Sequence, residues 1–555
     1  MKKIIIGFLF LMLGSFANAQ KRAYSAADSA YYFYQLKDLK KAAYYYDRYY
    51  LIQKNDQSNY DTYRAAVAAS FVGNMENAKY YIKRSGEIGY DYSSFYDFPS
   101  YDTFVNDTMH NHLRDLPEWK NFITVLKYKA DSAIIAVNKI MTVLADTSNR
   151  SNQSVLTNKV YWNALSKKES AASLAQKIKS FSLFQPVKKT DYWTMYHIKV
   201  NDTLTVPFLV YIPKNYQPSV KTPLYVYLHG AVIGRREFAN PAWIEKGDEI
   251  KIMDQAKSHN AFIIYPFGKK SFGWLYQQQA FETVLREIET IKSLYNIDDN
   301  KVYIGGHSNG GSGAFWFAAH KPSTFASIFG LNYMPKAYFG NTPLKNLNNA
   351  TPFYGVSGID DQTFPLPVVD PIYQLSLHNG ANWRNFNKKG THGLPYENKE
   401  SINFIFDTLA SKTRNPFPKK ITWETADIKN GRYAWLEILE LDTLAEKANW
   451  QTILNPTVPE NGKAGTIDFN TNKSGAVIAT VKGNTIDIQT SRVKRIKLYI
   501  SADMFDLKQQ IKLVINGKNY LNFKLDADKN IILEEFLKTK DRDFIVANTI
   551  EFTVK

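Results

Sequence analysis

Cysteine is absent from this 555-residue chain. No disulfide can therefore brace it, and its stability has to come from buried apolar cores, which a chain of this length can supply. Acylation of an N-terminal cysteine is excluded by the same absence. Histidine is scarce, at nine residues, and no His/Asp/Glu group has metal-ligand spacing. A Gly-rich nucleotide loop is missing as well, so no cofactor is implied. Beyond the first twenty residues no apolar run is long enough to span a bilayer. Lys and Arg outnumber Asp and Glu by 69 to 52, a formal net charge of +17. They are scattered rather than gathered in a stripe, which argues against nucleic-acid binding and for a solvated basic surface.

What remains is globular: 45% hydrophobic and 22% charged, with 37 Tyr and 34 Phe available for cores or stacking surfaces. At the start, Lys2-Lys3 precede the apolar run Ile4–Leu13, and small residues follow to Ala17-Asn18-Ala19. A basic stretch, a short apolar stretch and an A-x-A site predict a signal peptide over 1–19, cleaved after Ala19. The apolar run is too short for a membrane anchor. The expected product is exported, periplasmic or secreted.

Three further regions are expected. Residues 20–185 read as helical, with an internal repeat: Ala30–Ala42 matches Ala66–Ala78 at a step of 36 residues. That step and the small residues at equal offsets loosely resemble tetratricopeptide repeats. The region offers either a groove for a peptide or protein partner or a helical prefix that packs on the next domain. The polar stretch Asp146–Ser154 reads as a hinge.

Residues 190–412 alternate strand and helix. Trp193 to Val200 and Leu204 to Ile212 form a hairpin with one apolar face. Apolar runs follow at Leu224–Leu228, Ala261–Tyr265, Val302–Ile304, Ala326–Leu331 and Pro352–Val356, separated by amphipathic helices such as Phe281–Leu294. The pattern predicts an α/β domain with a doubly wound, mostly parallel sheet opened by an antiparallel hairpin. After the Pro-rich join Asn415–Pro418, residues 415–555 are strand-like, with Asn516-Gly517 between two alternating runs, and predict a β-sandwich.

The chemistry concentrates at Gly306-His307-Ser308-Asn309-Gly310. A strand, this G-x-S-x-G turn and a helix hold a serine on a strained bend, with its oxygen above the sheet and a helix N-terminus beside it. A serine hydroxyl needs a base, and the base needs an orienting acid. Gly358-Ile359-Asp360-Asp361 follows one later strand and Gly390-Thr391-His392-Gly393 follows the last. His392 is the candidate base and Asp361 the favoured acid, with Asp360 as the alternative. The backbone N–H groups of Asn309 and of Ala231, in the loop after Leu228-His229-Gly230, are the candidate oxyanion hole.

With these motifs assembled, residues 190–412 resemble the α/β-hydrolase superfamily, in the esterase and poly(3-hydroxybutyrate)-depolymerase-like branch that neighbours the prolyl oligopeptidase family. The carrying segments are LYVYLHGA, IIYPFGKKSFGW and YNIDDNKVYIGGHSNGGSGAFWFAAHKPSTFASI. The resemblance implies an enzyme that hydrolyses carboxylic esters, with Ser308, Asp361 and His392 as nucleophile, acid and base. Asn309 departs from the Met or Gln of many relatives, but only its backbone is needed. No β-propeller and no Glu-Glu pair is present, which counts against the alternative of a serine peptidase. A further alternative is a non-catalytic binding protein that works through its helical and β regions. Few residues separate the strands on the catalytic side, so an open site without a large lid is expected, suited to small-molecule esters or acyl groups on a polymer such as a polysaccharide.

Overall fold

Residues 26–52, 59–88, 101–128, 155–234, 238, 252–460 and 463–554 are described by the computed structural model. The candidate signal peptide and the candidate hinge lie outside them. Among the described residues no helix is long and apolar enough to cross a membrane.

Two units make up the chain. In the first, helices α1 (Ala26–Gln35), α2 (Leu39–Ile52), α3 (Asn59–Phe71) and α4 (Met75–Ile88) form two helical hairpins. The 36-residue step is visible in three dimensions. Ala30 and Ala66 are both fully buried, as are Ala42 and Ala78, so each pair of helices approaches closely where a side chain is smallest. The turns also correspond. Lys37 and Gly73 both have positive φ, at 58° and 76°. Asp38 and Asn74 each accept the N–H three residues on, both at 3.2 Å. Tyr46, Tyr63, Tyr81 and Trp119 fill the space between helices.

The second unit holds the described residues from 155 onward. Its first helices, α5 (Lys159–Lys168) and α6 (Ala171–Lys179), are capped by Asn158 and Ser170. The sequence pattern groups them with the preceding helices. In the structure their apolar residues Trp162, Leu174 and Ile178 pack instead on Ile532, Leu533 and Phe536, near the C-terminus. An amphipathic period announces an apolar face but not its partner.

An eight-stranded sheet follows: β1 (Tyr192–Lys199), β2 (Thr205–Ile212), β3 (Thr222–Leu228), β4 (Phe262–Pro266), β5 (Ile297–His307), β6 (Ser327–Leu331), β7 (Phe353–Gly358) and β8 (Trp383–Lys388). The spatial order is β1-β2-β4-β3-β5-β6-β7-β8. β2 runs antiparallel to both its neighbours, and β4, β3, β5, β6, β7 and β8 are mutually parallel. The main helices are α7 (Gln278–Leu294), α8 (Asn309–His320), α9 (Leu366–His378) and α10 (Glu400–Ala410). The central strands are buried along nearly their whole length, which is why they read as unbroken apolar runs rather than alternations.

The C-terminal region is β-rich. β9 (Lys420–Thr425), β10 (Arg432–Tyr433) and β11 (Leu436–Leu441) precede a small hairpin, β12 (Thr457–Glu460) with β13 (Lys463–Thr466). β14 (Gly475–Lys482), β15 (Thr485–Ser491), β16 (Val493–Ile500), β17 (Ile511–Ile515), β18 (Lys518–Phe523) and β19 (Asn548–Thr553) complete it. Sheets β18-β17-β15-β14-β9 and β10-β11-β16-β19 share one core, with Trp423, Val477 and Ile488 from the first against Ile438 and Leu498 from the second. Asn516 and Gly517 both take positive φ, as a tight hairpin between β17 and β18 requires. The strand-like region also contains one helix, α11 (Lys529–Thr539), which covers α5 and α6.

Candidate active site

β5 ends at His307, and α8 begins at Asn309, leaving Ser308 alone at the bend with φ 56° and ψ −122°. A non-glycine residue at positive φ is strained, and it holds only because its surroundings over-determine it. Two glycines make the bend possible. A Cβ on Gly306 would lie 2.0 Å from the Leu228 carbonyl oxygen, and one on Gly310 only 1.8 Å from it. The end of β3 therefore packs directly on the backbone of the turn, which brings the 229–231 loop to the start of α8.

The Ser308 hydroxyl meets His392, with Oγ 2.9 Å from Nε2. On the other side of the ring Nδ1–H donates to Asp361 Oδ2 at 2.8 Å. Asp361 Oδ1 accepts the N–H groups of Thr363 at 2.7 Å and Phe364 at 3.0 Å. Burial alone would raise the Asp361 pKa. The bond and charge of His392, with those two backbone donors, outweigh it and hold the carboxyl below its ordinary range. Of the two adjacent aspartates, Asp361 is buried and reaches the imidazole, whereas Asp360 faces solvent. Ser308, His392 and Asp361, from the ends of β5, β8 and β7, thus form one continuous hydrogen-bond chain.

The loop after β3 is built around His229. Its Nδ1–H donates to Gly230 O at 2.8 Å, and its Nε2 accepts the Gly268 N–H at 2.9 Å. Trp274 donates from Nε1 to His229 O at 3.2 Å. Ala231 takes φ 51°, a left-handed conformation just past the end of β3. Asn309 supplies the first N–H of α8, at the positive end of the helix dipole.

Two site residues, Asn332 and Tyr396, carry no motif, and His307 shows in the sequence only as a member of the elbow. Asn332, just past β6, donates from Nδ2 to the carbonyls of Thr391 at 2.8 Å and His392 at 2.9 Å. Its Oδ1 accepts the Gly358 N–H at 2.8 Å. His307 Nε2–H donates to the same His392 carbonyl at 2.9 Å, and Tyr396 Oη–H donates to His307 Nδ1 at 3.0 Å. The sequence places His307 in the elbow, pointing away from the nucleophile, and nothing in its spacing announces the loop it meets. Among the described residues no group of three or more His, Asp or Glu side chains could hold a metal ion.

The family known as Putative esterase matches residues 204–337, from β2 through the elbow to the loop after β6. Over those residues the chain is similar to an esterase domain. No curated protein matches the chain in sequence. Among solved structures the chain is similar to a thermostable esterase, at 22% identity and a TM-score of 0.33, over 40% of this chain and 63% of that one. The chain thus spans less than two thirds of that esterase's length. It is also similar to Pyrococcus horikoshii acylaminoacyl peptidase, at 16% identity and a TM-score of 0.34, over 41% of this chain and 43% of the other. A Staphylococcus aureus fluorophosphonate-binding serine hydrolase aligns at 15% identity and a TM-score of 0.31, over 40% of this chain and 100% of its own.

Proposed function

We propose that the protein is an exported hydrolase of carboxylic esters, working through Ser308, His392 and Asp361 and a covalent acyl-enzyme. The observation that carries this reading is the unbroken chain from Ser308 Oγ through His392 to Asp361, at 2.9 and 2.8 Å. As Ser308 attacks the acyl carbon, His392 takes its proton at Nε2, and ionised Asp361 stabilises the imidazolium and holds its orientation. The tetrahedral oxyanion rests on the N–H groups of Ala231 and Asn309. The alcohol leaves with the proton from His392, and water, deprotonated by the same ring, releases the acid.

The His392 side chain keeps 27% of its surface exposed, so an acyl group carried on a large alcohol has a way in. The substrate class proposed is an ester on a small molecule or on a polymer such as an acylated polysaccharide. Export follows from the N-terminal pattern of basic, apolar and small residues.

A fluorophosphonate probe applied to wild type, Ser308→Ala and His392→Ala tests the reading. Labelling of wild type that both substitutions abolish is expected, with short-chain nitrophenyl esters cleaved faster than dipeptide amides. Folded wild type that fails to label overturns it, and faster amide cleavage replaces the esterase with a peptidase.

A further inference from the structure

The residue before a nucleophilic serine has no steric need to be histidine, yet here it is, and it is almost fully buried. Its contacts all lead to the base. His307 Nε2 lies 2.9 Å from the His392 carbonyl oxygen, and its ring centroid is 4.8 Å from that of His392. The second donor on that oxygen is Asn332 Nδ2, also at 2.9 Å. Tyr396, four residues beyond the base, closes the circuit by donating to His307 Nδ1 at 3.0 Å.

We infer that His307 is a positioning residue, which ties the loop of His392 to the nucleophile elbow so that base and nucleophile keep one geometry through the reaction. The inference rests on the triad reading above. Its logic is mechanical. The triad histidine sits on a loop after the last strand, where the sheet's hydrogen bonds no longer hold the chain. Two convergent donors on its own carbonyl replace them, one from the end of β5 and one from the end of β6. The His392 carbonyl fixes the tautomer: it can only accept, so the proton is on Nε2, and Nδ1 is left to accept from the Tyr396 hydroxyl.

The electrostatics agree. Burial, with the neighbouring His392 adding to it, lowers the His307 pKa to about 3, so the ring is neutral wherever the enzyme works. A cationic ring there would oppose the imidazolium that forms on His392. A neutral ring orients without repelling.

Four variants test this. His307→Phe keeps the ring and loses the donor. His307→Gln places an amide N–H where Nε2 was, Tyr396→Phe loses the hydroxyl that holds Nδ1 of the ring, and Ser308→Ala reports background. In His307→Phe, kcat for a nitrophenyl ester should fall about tenfold to a hundredfold with KM nearly unchanged, the scale of a misplaced reacting group. The fluorophosphonate labelling rate should fall in step. His307→Gln should recover most of the loss, and Tyr396→Phe should fall between. Because buried His307 stays neutral and does not titrate where the acid limb falls, that limb of the pH–rate profile should stay in place in all of these variants. Full kcat in His307→Phe, an equal loss in His307→Gln, or an acid limb displaced by about one pH unit or more would each overturn the inference. If His307→Phe fails to fold, His307→Gln and Tyr396→Phe decide it, since a loss of kcat in the former as large as Ser308→Ala shows, or none in the latter, also overturns it. Wild type that fails to label would instead sink the triad reading itself.

Discussion

Arg542 Nε donates to Asp299 Oδ2 at 2.9 Å, with both side chains buried. Asp299 lies near the start of β5, the strand that ends at the elbow, and Arg542 belongs to the β-rich C-terminal region. The same guanidinium reaches Asn296 Oδ1 at 2.7 Å and Phe181 O at 2.9 Å, and it also donates to Ile297 O. Lys292 pairs with the other Asp299 oxygen at 2.5 Å, and Arg414 pairs with Asp541 at 2.5 Å. The eight-stranded sheet and the β-rich region share a buried ionic seam at the foot of the nucleophile strand.

Breaking that seam from one side should be costly, because Asp299 would stay buried with half its partners gone. Arg542→Met is expected to lower stability by about 3–5 kcal/mol. Urea unfolding of wild type and variant measures it. The eight-stranded sheet and the β-rich region should unfold in one shared transition in wild type.

The two adjacent aspartates should separate cleanly. Asp361→Asn presents an amide to His392 Nδ1 and favours the wrong tautomer, so kcat should drop by about 10³–10⁴. Asp360 is exposed and touches neither ring nor serine, so Asp360→Asn should stay within about twofold. Ester hydrolysis at saturating substrate distinguishes them.

Glu287, on α7, is buried, and its Oε2 has no hydrogen-bond partner among the described residues. Burial raises its pKa well above 4.5. In the unfolded chain the carboxyl ionises at its ordinary pH, whereas in the fold it stays protonated to higher pH. Folding therefore loses stability as pH rises above the unfolded value, and the cost vanishes below it. Glu287→Gln should raise stability at pH 7 by about 1–3 kcal/mol, with the gain shrinking towards pH 4. Thermal melts across that range read it.

The glycines of the elbow should not tolerate a methyl group. In Gly310→Ala a Cβ would sit 1.8 Å from the Leu228 carbonyl oxygen, so backbone must move. A loss of about 1–3 kcal/mol and of fluorophosphonate labelling is expected. At Gly86, on α4, an added methyl group would meet nothing within 4 Å. Gly86→Ala should gain about 0.5–1 kcal/mol from helix propensity. Differential scanning of the pair gives opposite signs.

Local chemistry made much of this legible in the linear chain. The G-x-S-x-G bend, the central strands and the Asn516-Gly517 turn each depend on residues close in sequence, where backbone sterics and periodicity act. The 36-residue step of the helical hairpins is of the same kind, since it needs only small residues at equal offsets. Long-range choices had no such signal. That α5 and α6 lie on α11, that Arg542 reaches Asp299, and that His307 and Asn332 converge on one carbonyl of the base loop depend on which surfaces meet once the sheet has formed. The same limit applies to the acid: Asp360 and Asp361 are chemically equal in the chain, and only the turn after β7 buries one against His392 and leaves the other in water.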